Sequence, residues 1–363
     1  MTLTLTEGNV TVITAPQDYL QDDLYVDLAP QVGHALYLKC EAFNFAGSIK
    51  LKAAREIIAR LEASGNLTGE SILIESTSGN MGIAIGMIAA NKGLRFVCVT
   101  DPRCNAASMR MIRALGAEIR MIEEPDPCTG YLGSRLRYVR DLCARDPRYV
   151  WLNQYTSAGN WGAHFRLTGP AIERQFPDLD VLFVGTGTAG TLMGCARYFH
   201  DRPNPPTIVA VDSIGSVAFG GQPSPRWIPG LGSSVTPPQL DRGYIDDVVM
   251  VDERATIRAC RDLAARGFLF GGSTGTVVSG AVSWLDEHDP DRRLTAVALA
   301  PDLGERYLET VYNDAWTAAT YPPATPPQAT AAPAGSNGAG LNGAGLNGAG
   351  SSQRTLASAV VDR

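Results

Sequence analysis

The sequence predicts an α/β protein with two open, mostly parallel twisted sheets flanked by helices and a disordered C-terminal tail. Three observations predict it. Short apolar or β-branched runs alternate with helical patterns, the alternation falls into two series separated by an irregular stretch, and the composition changes near residue 318. A strand followed by a helix and a further strand returns parallel, with its helix packed on a sheet face.

Taken in order, the first clear helix opens at Lys50. At about 100° per residue, Ala54, Ile57, Ile58 and Leu61 cluster around Lys50, whereas Lys52 shares an expected wet face with Arg55 and Glu56. The first series then pairs strand 71–74 with helix 80–91, strand 95–99 with helix 106–115, and strand 118–122 with helix 132–145. Residues 151–161, rich in Asn, Gly and aromatic side chains, form the expected join. The second series places strands at 181–184, 208–211, 248–251 and 294–299, with helices at 191–199 and 255–266. From Ala318 to Arg363 the chain turns to Ala, Pro, Thr, Gly and Asn, with the unit Asn337-Gly338-Ala339-Gly340-Leu341 recurring from Asn342. Such a segment buries too little apolar surface to offset chain entropy, so a disordered tail without a catalytic role is expected.

A length of 363 residues with 19% charged residues fits two ordinary domains. The net charge of -6 and the scattered basic residues give no footprint for nucleic acid. No apolar run approaches the about 18 residues of a membrane span, and Met1–Val12 lacks the pattern of a targeting segment, so a cytoplasmic soluble protein is expected. The seven cysteines contain no CxxC pair and read as free thiols, and the four histidines show no metal-ligand spacing, so no metal is expected.

Chemistry concentrates at a few motifs. A lysine kept dry loses its proton near neutral pH and can attack a carbonyl, form a Schiff base and later serve as a base, which singles out Lys50 among the four lysines. Ser76-Thr77-Ser78-Gly79-Asn80 lies between a strand and a helix, where backbone N–H groups and hydroxyls would receive an anion such as a carboxylate, or merely cap the helix. Val184-Gly185-Thr186-Gly187-Thr188-Ala189-Gly190-Thr191 repeats that logic for a phosphate; with Asp212 as a ribose partner it would equally serve a nicotinamide-dependent oxidoreductase. Gly271-Gly272-Ser273-Thr274-Gly275 reads on its own as a plain turn.

Together and in this order, Gly47-Ser48-Ile49-Lys50, Thr77-Ser78-Gly79-Asn80, Thr168-Gly169-Pro170, Gly187-Thr188-Ala189-Gly190-Thr191 and Gly272-Ser273-Thr274-Gly275 resemble the cysteine synthase family of pyridoxal 5'-phosphate enzymes, fold type II, over residues 15–316. The resemblance implies a tryptophan synthase β-like fold with Lys50 as the Schiff-base lysine and Asn80 beside the coenzyme's phenolic oxygen. It implies Gly187, Thr188, Ala189, Gly190 and Thr191 around the coenzyme phosphate, and Ser273 at the pyridine nitrogen. Ser76, Thr77 and Ser78, assisted by Gln154, would hold the substrate α-carboxylate. Residues 42–155 would form a smaller, mobile domain carrying Lys50 and this loop, and residues 1–41 with 156–317 a larger one carrying the phosphate loop.

The chain departs from ordinary cysteine synthases at Ala46, where a glycine is usual, and at Leu51-Lys52, which replaces an acidic-basic pair. Segments such as Ile74–Asn80, Asn153-Gln154-Tyr155, Gly215-Ser216-Val217 and Arg306-Tyr307-Leu308 instead look like a narrower subgroup whose members make N-(2-amino-2-carboxyethyl)-L-glutamate. That product is a precursor of the diaminopropionate used in siderophores and peptide antibiotics. By this resemblance the substrates are O-phospho-L-serine and L-glutamate and the enzyme is a homodimer; the alternative is a cysteine synthase using O-acetylserine or O-phosphoserine with sulfide. The extra anions of the first reading call for Arg135, Tyr155, Ser216 and Arg166.

Overall fold

Strands buried on both faces need nearly continuous apolar runs, and the chain supplies two sets of them. In the computed structural model, which describes residues 12–77 and 79–322, these sets form two sheets. The chain begins with β1 (Tyr25–Asp27), α1 (Ala29–Val32) and β2 (Ala35–Cys40), and continues through α2 (Lys50–Ala63), β3 (Ile72–Ser76), α3 (Asn80–Lys92), β4 (Arg95–Thr100), α4 (Ala106–Ala114), β5 (Glu118–Met121), α5 (Gly130–Arg145) and β6 (Tyr149–Trp151). The second half holds α6 (Ala158–Arg166), α7 (Thr168–Gln175), β7 (Val181–Gly185), α8 (Gly190–His200), β8 (Thr207–Ser213), β9 (Asp247–Val251), α9 (Glu253–Ala264), α10 (Gly272–His288), β10 (Thr295–Ala300) and α11 (Asp314–Thr320).

One sheet has the order β5-β4-β3-β6, parallel throughout. The other has the order β1-β2-β10-β7-β8-β9, parallel except where β1 runs against β2. This is the expected α/β class with two open, mostly parallel sheets flanked by helices. Strands β1, β2 and β6 were not expected. The first and last are only three residues long, and β2 carries Lys39 inside an otherwise apolar run.

Two boundaries differ from the sequence reading. Gly272–Gly275 is the first turn of α10 rather than a free turn. Helix α11 runs to Thr320 and the Tyr321 hydroxyl donates to Glu253 Oε2 at 2.8 Å, so order passes the expected onset of the tail at 318. Residues 323–363 lie outside the described residues. No helix among the described residues is long and apolar enough to cross a membrane, and no two cysteines among them form a disulfide.

What positions the site is a stack of three helices joined through glycines. A Cβ on Gly159 of α6 would stand 3.0 Å from Ile57 Cα of α2, and one on Gly194 of α8 would collide with the Trp161 carbonyl of α6. Helix α6 therefore packs directly between the helix that begins at Lys50 and the one that begins at Gly190. Gly194→Ala must push α6 and α8 apart. We expect a stability loss of about 1–3 kcal/mol, read as a lower urea midpoint with an unchanged slope. An unchanged midpoint would show that the seam is looser than this packing implies.

Candidate active site

Open α/β sheets gather ligands where strands end and helices begin. Here α2, α3, α8 and α10 all start on one cavity of about 930 Å³, lined by Lys50, Asn80, Gly190, Thr191 and Ser273 at their N-termini. Each N-terminus presents unpaired N–H groups and the positive end of a helix dipole. The cavity is therefore suited to a ligand with more than one anionic group.

Lys50 is half-buried in its wall. Burial lowers its pKa from the usual lysine value, and the Asp302 carboxylate opposes this without cancelling it. Asp302 is fully buried, and its Oδ2 accepts from Asn80 Nδ2 at 2.8 Å and from the Tyr307 hydroxyl at 2.6 Å. Arg306 donates to Asn80 Oδ1 and, at 2.7 Å, to the Ala46 carbonyl. The Asn80 amide is thus gripped at both ends, which fixes its orientation.

The loop after β3 is held from below by a buried carboxylate. Glu75 Oε1 accepts from Ser76 N at 2.9 Å and Oε2 from Gln154 N at 3.1 Å, while Gln154 Nε2 donates back to the Ser76 carbonyl at 3.1 Å. Burial raises Glu75 to about 7 against these donors. Ser76, Thr77, Gln154 and Tyr155 reach the cavity wall, and the Ser76 hydroxyl oxygen has no partner among the described residues. Burial raises the Tyr155 pKa, so its hydroxyl stays a donor. Arg135, 8% exposed, also faces the cavity. Its Nε lies 3.4 Å from Asp101 Oδ2, yet Nε and Nη1 have no hydrogen-bond partner among the described residues.

On the opposite wall, Gly187, Thr188, Ala189, Gly190 and Thr191 wrap the start of α8. Ala189 takes a left-handed φ of 64°, a cost that non-glycine residues bear mainly where surroundings dictate the loop. A Cβ on Gly190 would strike the Asn160 amide. Asn160 itself donates to Thr188 Oγ1 at 3.0 Å and to the Gln154 carbonyl at 2.7 Å, tying both walls together. Gly230 packs where a Cβ would strike Ser273 Oγ.

Four expectations change. Lys52 does not face water: it is 2% exposed, within a buried run from Leu51 to Ala54 at the start of α2. Its ammonium pairs with Glu41 at 2.7 Å and with Asp22. Ser216 is fully buried away from the cavity, its hydroxyl accepting from Ser233 N at 2.9 Å and Ala218 N at 3.3 Å and donating to the Ser233 carbonyl at 3.4 Å, so it has nothing left for a substrate. Arg166 sits on the outer face of α6, 45% exposed and paired with Glu56. Asp212 is fully buried, with Oδ1 accepting from Ser213 N at 2.8 Å, and does not line the cavity as a ribose partner would. Ser78 lies outside the described residues.

Asp302 and Arg306 received no role from the sequence. The signal available was position: both follow the C-terminal end of β10, where open sheets place their ligands.

The sequence pattern of the family described as pyridoxal-phosphate dependent enzymes matches residues 25–302. The chain is 42% identical over 285 residues to an N-(2-amino-2-carboxyethyl)-L-glutamate synthase of Ralstonia nicotianae, covering 78% of this chain and 84% of that protein. Among solved structures, it resembles an O-ureido-L-serine synthase at 32% identity with a TM-score of 0.76, covering 85% of this chain and 100% of the other. It also resembles an O-acetylserine dependent cystathionine β-synthase of Helicobacter pylori at 25% identity and TM-score 0.76, covering 84% and 100% of the respective chains.

Behind the cavity, His164 is 1% exposed, and burial, with Lys52 adding to it, lowers its pKa from 6.5 to about 3. Protonation therefore favours the unfolded chain: the neutral ring's contribution is complete above pH 6.5 and is lost as pH falls toward 3. Glu75 and Asp212, raised to about 7 and about 6, slope the other way over part of this range, so the test is a difference. The stability advantage of wild type over His164→Gln should shrink by about 2–3 kcal/mol between roughly pH 6.5 and 4.5 in urea titrations. A constant difference would contradict the buried neutral ring.

Proposed function

The chain belongs to the pyridoxal-phosphate dependent enzyme family, and on that premise we propose that it joins O-phospho-L-serine to L-glutamate, releasing phosphate and forming N-(2-amino-2-carboxyethyl)-L-glutamate. The residues present fit the coenzyme. Lys50 supplies an amine whose pKa burial lowers, the glycine loop before α8 leaves room for a phosphate against its N–H groups, and Ser273 offers a neutral hydroxyl for the pyridine nitrogen. Lys50, Asn80, residues 187–191 and Ser273 would hold it. Pyridoxal phosphate supplies an aldehyde that condenses with amino groups and a conjugated ring that takes up electron density from Cα.

The chain's own groups do the rest. Ser76, Thr77 and Gln154, at the N-terminus of α3, receive the substrate α-carboxylate. Lys50, once its amine is free, takes the Cα proton and later returns it to the same atom. The Tyr155 hydroxyl and Arg135 face the departing phosphate, and Arg103 and Arg226 on the same cavity match the carboxylates of the incoming glutamate. A neutral serine, unlike a carboxylate, does not hold a proton on the pyridine nitrogen, so charge at Cα is relieved by loss of the Cβ substituent.

The observation that carries this reading beyond the family is Arg135. A guanidinium with unsatisfied donors in a nearly dry wall calls for a strongly anionic guest, and phosphate meets that need better than acetate. The name of the 42% identical relative supports the same substrates. For the assembly we take a homodimer: Phe43 and Phe45, 41% and 63% exposed just before α2, offer an apolar face to a second copy. Cysteines without disulfides support a reducing, cytoplasmic setting, and the four-stranded sheet, lying wholly within residues 42–155, supports a smaller mobile unit.

The enzyme is expected to convert O-phosphoserine and glutamate to a product detectable by mass spectrometry, in preference to O-acetylserine and sulfide. Arg135→Gln should lower kcat/KM for O-phosphoserine by about 100-fold while changing turnover of O-acetylserine little. Exclusive use of sulfide, or an equal loss on both serine esters, would overturn the phosphate-specific reading.

A further inference from the structure

We propose that Lys52 fixes the direction of a buried hydrogen-bond relay, Lys52–Thr168–His164–Thr191, so that the Thr191 hydroxyl is held as a donor toward the anion at the start of α8. The proposal deepens the coenzyme reading and rests on it, because that anion is taken to be the coenzyme phosphate. It makes Lys52, two residues after the Schiff-base lysine, a positioning residue for the opposite wall of the cavity.

The direction follows from counting donors. Lys52 Nζ lies 3.2 Å from Thr168 Oγ1, and an ammonium has donors only, so the threonine oxygen accepts. Thr168 is fully buried, and its other side-chain hydrogen bond among the described residues is to His164 Nδ1 at 3.0 Å. Its hydroxyl proton therefore goes to Nδ1. The ring is neutral, being buried close to the ammonium of Lys52, so the remaining proton sits on Nε2. Nε2 lies 3.2 Å from Thr191 Oγ1 and donates to it. That leaves the Thr191 proton free for a guest in the cavity, which Thr191 lines.

The opposite polarity would strand the buried Thr168 proton without an acceptor and turn the Thr191 hydroxyl inward to Nε2. An anion would then meet an oxygen lone pair. The source of the polarity is well anchored: burial works against the Lys52 ammonium, but Glu41 and Asp22 outweigh it and raise its pKa. Glu41, itself bonded to Lys39 at 3.0 Å, is lowered to about 2 by the two lysines despite its burial.

The test uses the holoenzyme. With ¹⁵N-labelled histidine, the wild-type His164 ring should carry its proton on Nε2 and leave Nδ1 bare; a proton on Nδ1 overturns the relay and needs no variant. In spectrophotometric titrations of pyridoxal phosphate, Lys52→Met and Thr191→Val should each weaken binding about tenfold, and the double variant no more than either alone. Multiplying losses would overturn the link between the two residues. Should Lys52→Met fail to fold, the wild-type tautomer decides. A reversed tautomer in protein that takes up the coenzyme sinks the relay alone, whereas wild type that takes up no coenzyme sinks the coenzyme reading and the relay with it.

Discussion

Two amines leave water in one turn of helix α2, and they do so on opposite terms. Lys52 meets two carboxylates and keeps its charge, its pKa raised. Lys50 meets only the influence of Asp302, a carboxylate already engaged by Asn80 and Tyr307, and its pKa falls. Desolvation is common to both, so the partner decides which lysine pKa rises and which falls. The chemistry of the cavity depends on that contrast.

The rest of the fold serves to keep it. Helix α2 is held by a buried first turn in which Leu51, Ala53 and Ala54 pack and the Lys52 ammonium is paired, and glycines at 159 and 194 let α6 and α8 close over it. The same packing brings the glycine loop at 187–191 and the cavity-lining residues Ser76, Thr77, Gly79 and Asn80 to facing walls, with Asn160 bonded across. An amine with a lowered pKa is thus surrounded by groups suited to anions: helix N-termini, hydroxyls and Arg135. Such an arrangement suits a guest with more than one anionic group.

Most of the architecture was legible because strands buried on both faces announce themselves as apolar runs, and β3, β4, β7, β8 and β10 all do. The motif residues at 50, 76–80, 187–191 and 273 stood out in the sequence through their order and spacing, since each small-residue segment on its own also reads as a cap or a turn. What could not be read was burial by elements remote in sequence. Helical periodicity placed Lys52 opposite the apolar stripe, and groups from outside the helix, Glu41, Asp22 and Thr168, enclose it while Arg55 on the same face stays exposed. Ser216 and Arg166 failed for the converse reason. A serine beside glycine and an arginine near a conspicuous loop look available in sequence, but one is consumed by backbone N–H groups and the other is turned outward on α6. Asp302 went unread because a lone aspartate after a strand carries no pattern until Asn80 and Lys50 are seen beside it.

The most direct test of the central claim is to reduce the coenzyme-loaded protein with borohydride and locate the coenzyme by peptide mass spectrometry. The unequal environments of the two lysines predict a single pyridoxyl phosphate group on Lys50, with Lys52 and Lys39 unmodified. A label on Lys52, a label spread over several lysines, or none at all would contradict it.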